Sequence, residues 1–365
     1  MSSIDASGQG AWRKPRPADG DRSQIARFVI AALVLGLIIV AIYSLGSGAT
    51  DTSAFGVLFA IATGNGADLS LVERVVLFDI RMPRTVMGIM IGASLAVSGA
   101  IMQGLFRNPL ADPGIVGVSA GAALGATTFI VLGTGALAPI AAIFGIYDVP
   151  FAAFLGGLIT TFLLYRVSTR NGQTSVATML LAGIALGALA GAFTGLLVFR
   201  ADDQQLRDLT FWGLGSLAGA TWLKVIAVAP IILPVVLLAG LMARGLNAMT
   251  LGESTAHHLG INVQVFKRVA IVVVAAATGA SVAVSGGIGF VGIVVPHLLR
   301  LLIGPDHRYL LPACALLGAV MLLLADAVAR QIVAPAELPI GIVTAAIGAP
   351  FFLWILIQRR GLMDM

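Results

Sequence analysis

Charge is what this 365-residue chain lacks most: only 11% of its residues are Asp, Glu, Lys or Arg, against about 25% in an ordinary soluble domain. With 58% hydrophobic residues and a mean hydropathy of +1.00, no soluble fold of this size could hide so much apolar surface from water. Lipid must be part of the solvent. Cysteine is nearly absent as well. Cys314 stands alone inside an apolar run and can build neither an internal disulfide nor a thiolate metal cluster, so it reads as a small buried residue. Catalytic apparatus is missing. No G-x-x-x-x-G-K-[ST] loop is present to cradle nucleotide phosphates, and His257, His258, His297 and His307 fall in no metal-ligand spacing such as H-E-x-x-H. The expectation is no metal site, no catalytic residue and no enzyme activity in this chain. Of 17 acidic residues, only Asp326 falls within an apolar run, near its end. Ion-coupled carriers need buried ionisable relays or ion sites, so energy for any transport should come from a partner.

What the chain does have is apolar runs, and a membrane span takes about 20 such residues. Ten runs qualify: 27–47, 82–106, 114–133, 148–167, 175–199, 223–243, 268–286, 289–303, 309–331 and 338–358. The seventh and eighth are parted only by Ser285–Gly289, which suits either a tight turn or a broken helix. Residues 1–25 are polar and carry Arg13, Lys14, Arg16 and Arg22. No clear small-residue cleavage site ends the run that follows, so the expectation is a disordered cytoplasmic tail and a first span, not a cleaved signal. Residues 26–360 then form one transmembrane domain. The net charge of +5 and pI near 9.9 reflect basic residues at the ends of apolar runs, which are topology signals and not a nucleic-acid face. With both termini cytoplasmic, fifteen Lys and Arg fall inside. Seven fall outside: Arg74, Arg81, Arg84, Arg200, Arg207, Lys224 and Arg330. That bias supports an even number of spans and a multi-pass inner-membrane protein.

An internal repeat is legible. Gly92-Ala-Ser-Leu-Ala-Val-Ser-Gly99 in the second run returns as Gly279-Ala-Ser-Val-Ala-Val-Ser-Gly286 in the seventh. Five spans separate the copies, and an odd number makes them run in opposite directions. The fold class expected is therefore an all-α polytopic membrane protein of about ten helices, in two five-helix halves of inverted topology. Glycines spaced by four, at Gly117, Gly121 and Gly125 and again at Gly183, Gly187, Gly191 and Gly195, put small residues on one helix face. Close helix packing is their main reading, with a pathway lining as the second for the latter set. The polar loop 251–263 reads as an amphipathic knob, with Glu253 near a helix start, Ala256 and Leu259 on an apolar side, and Gly260 ending the turn.

Several stretches together resemble one family, the permease subunits of bacterial ATP-driven importers for ferric siderophores, haem and cobalamin. They are Arg81-Met-Pro-Arg84, Gly92 through Gly121, Leu251-Gly-Glu through Gly260, Gly286 through Arg300, Gly304-Pro-Asp-His-Arg308, Asp326-Ala-Val-Ala-Arg330 and Glu337 through Thr344. The resemblance runs in order over about residues 27–358. It implies a homodimer in the bilayer, two cytoplasmic ATPase subunits that supply ATP and Mg, and a periplasmic substrate-binding protein. It also implies docking of the ATPase by Leu251, Gly252, Glu253, Ala256, His257, Leu259 and Gly260, and docking of the binding protein's carboxylates by Arg81, Arg84 and Arg330. An inner gate is expected at Gln173, Thr174, Ser175, Val176 and Ala177. His297 lies in a stretch shared by the whole family and reads as structural. The segment Asp202–Ser216 looks like the haem branch, so haem is the favoured cargo, then a ferric siderophore, then cobalamin; no cofactor is expected to reside in the chain. An ion-coupled secondary carrier is the alternative of a different class. It is disfavoured by the missing carboxylates and by the knob at 251–260.

Overall fold

The computed structural model describes residues 21–47, 70–334 and 336–363, and these are predominantly helical. Residues 1–20 of the expected tail lie outside them. The helices are α1 (Ser23–Gly46), α2 (Leu71–Phe106), α3 (Val118–Leu132), α4 (Asp148–Ser168), α5 (Val176–Val198), α6 (Asp203–Leu214) and α7 (Trp222–Leu238, with further turns to Thr250). Then come α8 (Glu253–His258), α9 (Val263–Ser285), α10 (Val291–Ile303), α11 (His307–Ile332) and α12 (Ile340–Met363). Among the described residues, seven helical segments have the length and hydropathy to cross a bilayer, and three shorter ones, Val118–Leu132, Val291–Ile303 and Ile340–Trp354, are also apolar. Each of these ten falls on one of the ten apolar runs.

Burial ranks the helices. In α2, 89% of the apolar window is buried, against 6% in α1, so α2 is the axis of the bundle and α1 lies on its rim. α2 starts on a capping box: the Ser70 hydroxyl accepts from the Glu73 N–H at 3.2 Å while Glu73 accepts from the Ser70 N–H at 3.0 Å, which satisfies two end donors at once. A π-helical stretch at Val75–Arg81 precedes Pro83, which has no N–H to continue the ladder inside α2.

The two copies of the repeat meet at the crossing of α2 and α9. Ser94 and Ser281 hold the same place in the two octapeptides, and their hydroxyls are 3.0 Å apart. Both also reach the carbonyl of Ala277, at 3.1 and 2.8 Å. Equivalent residues of opposed helices touch each other only close to the axis that relates the halves, as the inverted repeat requires.

The repeat glycines bring backbones together. A Cβ at Gly92 would lie 2.3 Å from the Gly318 carbonyl of α11, and one at Gly99 would lie 1.9 Å from the Gly292 carbonyl of α10. No side-chain rotation relieves either clash. Gly99→Ala is therefore expected to cost about 3 kcal/mol or more, at or above the upper end of usual overpacking, and to lower the thermal midpoint of the detergent-purified protein. An unchanged midpoint would show that α2 and α10 are not in backbone contact. The glycines spaced by four divide into two behaviours. In α3, Gly121 and Gly125 face the Gly156 and Ala152 carbonyls of α4 within 2.4 Å of an added Cβ. In α5, Gly183 is buried, but Gly191 and Gly195 have nothing within 4 Å of an added Cβ, so packing within the chain does not account for that stripe.

The stretch between the seventh and eighth runs is a break, not a hairpin turn. Gly286 (φ +70) and Phe290 (φ +69) are both left-handed, and a Cβ at Gly286 would lie 2.0 Å from the Trp212 carbonyl. The 13 residues of α10 rise about 20 Å, short of the roughly 30 Å hydrocarbon core. Residues 107–113, between the second and third runs, also turn back: Asp112 lies beside Leu95 and Gly292.

Candidate functional site

Arg81, Arg84 and Arg330 gather at one end of the bundle, but they are only 5%, 7% and 7% exposed. Arg84 grips Asp326 through Nε and Nη2 at 2.9–3.1 Å, and its Nη1 donates to both Glu337 oxygens at 2.9 Å. Arg330 Nε lies 3.1 Å from Asp326, and its other nitrogens donate to the carbonyls of Ser44 and Ser47 and to the Ser44 hydroxyl. Arg81 donates to the carbonyls of Leu45 and Gly46. The three arginines expected to present themselves to a partner are thus bound inside the chain, and Arg81 and Arg330 clamp the end of α1. Glu337 is the outermost member of the network, with its side chain 40% exposed against 1% for Asp326. Reading from sequence missed both carboxylates as the arginines' partners. The available signal was Asp326, an acid inside an apolar run and obliged to find a cation.

At the opposite end of α9 stands the knob. Gly252 (φ +108) leads into α8 and Gly260 (φ +82) closes it. The Ile261 N–H returns to the Ala256 carbonyl and the Gly260 N–H to that of His257, the paired bonds of a Schellman stop. Glu253 is the first residue of α8, as expected. Ala256 and Leu259 do not share a face: Ala256 is fully buried, while Leu259 is 51% and Leu251 64% exposed. The left-handed Gly260 ends the helix before Leu259 can complete the inward stripe, so Leu251, Leu259 and the exposed imidazoles of His257 and His258 form the outward surface.

Lys267, one helical turn into α9 and 2% exposed, joins this knob to the segment expected to gate. Its Nζ lies 2.7 Å from Glu253 Oε1 and donates to the Thr174 carbonyl at 3.0 Å. Gln264 accepts from the Thr174 N–H at 3.0 Å. Thr174 belongs to a two-strand hairpin, Thr169–Arg170 and Gln173–Thr174, turned by Asn171 and Gly172, both left-handed, as a two-residue hairpin turn demands. Ser175 then caps α5 by accepting from the Thr178 N–H at 3.3 Å, and Val176 and Ala177 form the first turn of α5. Gln173, Glu253, His257 and Gly260 line a shared groove of about 670 Å³. Nearby, Asn247 donates to Asp306, the cap of α11, at 2.8 Å. Burial would raise the Asp306 carboxyl, but bonds from Arg308 and Asn247 bring it down to about 2. Its contribution is therefore full above the ordinary carboxylate value and is lost only as pH falls toward 2.

Among the described residues no group of three or more His, Cys, Asp or Glu could hold a metal ion. His297 is 6% exposed, edge-on to Phe351 at 6.2 Å.

The model of the FecCD transport family matches residues 36–358. The hemin transport system permease protein HmuU of Yersinia pestis is 44% identical over 328 residues, covering 90% of this chain and 96% of that protein. The cobalamin import system permease protein BtuC of Halobacterium salinarum is 46% identical over 289 residues, covering 79% and 74%. A solved inward-facing metal-chelate type ABC transporter superposes with a TM-score of 0.78 at 33% identity, covering 91% of this chain and 99% of that one.

Proposed function

Because the chain belongs to the FecCD transport family, as a permease subunit of an ATP-binding-cassette importer, we propose that it carries haem from periplasm to cytoplasm by alternating access. It does so as a homodimer in the inner membrane, both termini cytoplasmic, with two ATPase subunits below and a binding protein above. The observation that carries the mechanism is the pair of bonds made by Lys267. Its ammonium holds Glu253 of the knob and the Thr174 carbonyl of the gate hairpin at once. A pull or push on α8 by the ATPase therefore reaches the start of α5 through one side chain and through Gln264. The outward leucines of the knob supply its contact with the ATPase. The open Gly191 and Gly195 face of α5 suits the pathway between two copies, where small residues and few polar groups hold cargo weakly enough to release it. Such an outward-to-inward switch moves packed elements between two arrangements. Support for haem over cobalamin comes from the fuller alignment of the haem relative, 96% of its own length against 74% and 86% for two cobalamin relatives. Loaded binding protein presented to the reconstituted importer should drive haem uptake that a tenfold excess of cobalamin-loaded binding protein does not displace; cobalamin uptake in place of haem would reverse the assignment.

The same reading refines the periplasmic face. With Arg84 already held by two carboxylates, a binding protein's carboxylate reaches it only by exchange, and Glu337 is the partner in contact with water. Bidentate guanidinium–carboxylate pairing makes that exchange one for one. Glu337→Gln is expected to tighten binding-protein docking several-fold, and Arg84→Glu to abolish it. Both are measurable by biolayer interferometry on nanodisc-held permease. Weaker docking in Glu337→Gln would mean that Glu337 positions Arg84 and does not compete for it.

A further inference from the structure

One half-buried carboxylate has no role in the mechanism above. Asp112 caps the short turn Pro113–Val116 by accepting from the Gly114 N–H at 2.7 Å through Oδ1. Oδ2 faces the first turn of α10, 3.4 Å from where a Cβ on Gly292 would stand. Asp112 makes no ion pair among the described residues. Its depth follows from Gly292, which packs on Gly99, seven residues and about 10 Å before the end of α2 at Phe106.

Beside Asp112 is a cavity of about 210 Å³, also lined by Ser119, Thr278 and the broken segment Gly287–Gly289. Thr278 lines it from α9 at 3% exposure, and its hydroxyl has no hydrogen-bond partner, a state that buried polar atoms rarely keep. Ser119, on the first turn of α3, is exposed and marks the mouth. An unpaired carboxylate and an orphan hydroxyl therefore border one cavity, at the junction where α9 ends and α10 begins. The start of α10 offers partial positive charge, but Phe290 gives it no side-chain cap, and among the described residues no cation pairs with Asp112.

We propose that this cavity binds a hard monovalent cation of sodium size. Asp112 supplies the charge, and the Thr278 and Ser119 hydroxyls supply neutral ligands. The donor chemistry selects the class. All three are oxygen donors, which excludes the softer transition metals. A single carboxylate among neutral oxygens suits one positive charge, where calcium gathers several carboxylates and magnesium demands an octahedral shell. Unwound helix junctions that coordinate small cations are a recurrent device of membrane transporters. Here the ion would tie the re-entrant turn 112–116 to the break between α9 and α10, fixing the junction mechanically. It goes beyond the importer reading and leaves ATP as the energy source.

The test uses the full-length permease in lipid nanodiscs. Its thermal midpoint and tryptophan fluorescence are followed as sodium chloride replaces N-methyl-D-glucamine chloride at constant ionic strength. Trp212 is a local reporter, since its carbonyl accepts from the Gly287 N–H at 3.4 Å. The expected result is a saturable sodium-dependent rise in the midpoint with a fluorescence change of the same half-saturation. The response should be absent in Asp112→Asn and at least tenfold weaker in apparent affinity in Thr278→Val. Thr278→Val changes no charge and carries the test alone if Asp112→Asn does not accumulate. A wild-type protein indifferent to sodium overturns the proposal. So does a sodium response that either variant retains unchanged, or a response to pH alone, which would put a proton in place of the cation.

Discussion

In reconstituted importer, Lys267→Met is expected to leave ATP hydrolysis running while haem uptake per ATP falls at least tenfold. The substitution keeps the aliphatic stem and removes only the ammonium. Glu253 then loses its 2.7 Å partner and, with a side chain already 36% exposed, turns to water. The Thr174 carbonyl loses its donor. Truncating one member of a buried, hydrogen-bonded charge pair costs about 2–5 kcal/mol, and about 1.4 kcal/mol is already tenfold in an equilibrium. The knob and the gate hairpin would then move independently. Lys267→Arg, which keeps the charge but not the compact three-donor geometry, should fall between the two. Uptake and hydrolysis that decline together, with loss of ATPase binding, would assign Lys267 to assembly. Uptake that stays coupled would mean that force reaches α5 by another route.

Asp326→Ala should be the most destabilising single substitution at the other end. Asp326 is 1% exposed and holds both Arg84 and Arg330. Its removal leaves Arg84 with Glu337 alone and Arg330 with backbone and hydroxyl acceptors only, both still almost wholly buried. Breaking a buried ion pair from one side costs about 3–5 kcal/mol, because the remaining charge keeps its desolvation penalty. The expected readout is a large drop in the thermal midpoint and in the yield of monodisperse protein. Asp326→Asn, which retains an acceptor, should lose less. Near wild-type stability in the alanine variant would mean that water or a rearranged Glu337 solvates both guanidiniums, and the clamp on the end of α1 would carry little.

Much of this architecture is readable in the sequence because hydropathy counts apolar residues, and nearly every span has enough of them. The octapeptide repeat went further: it named Ser94 and Ser281 as equivalent, and those two hydroxyls meet at the crossing of the halves. What hydropathy does not carry is depth. Residues 107–113 score as a loop, yet they return into the bundle, and α10 scores as a span, yet it begins part-way through it. The arginines show a different limit. Their position against the charge bias was visible, but their partners Asp326 and Glu337 lie 242 and 253 residues from Arg84, and no local pattern links them. At the knob, a helical period places Ala256 and Leu259 together, and the left-handed Gly260 separates them. Lys267 counted only as one more inside cation, since the value of its ammonium depends on a hairpin 93 residues away.

On the function proposed here, ATP and no ion gradient drives this permease. The most direct measurement is haem uptake into proteoliposomes holding the chain with its cognate ATPase, loaded binding protein outside and ATP inside. Predicted is uptake that requires hydrolysable ATP and survives collapse of any proton or sodium gradient. Uptake driven by a proton gradient and indifferent to ATP would contradict the account and establish a secondary carrier.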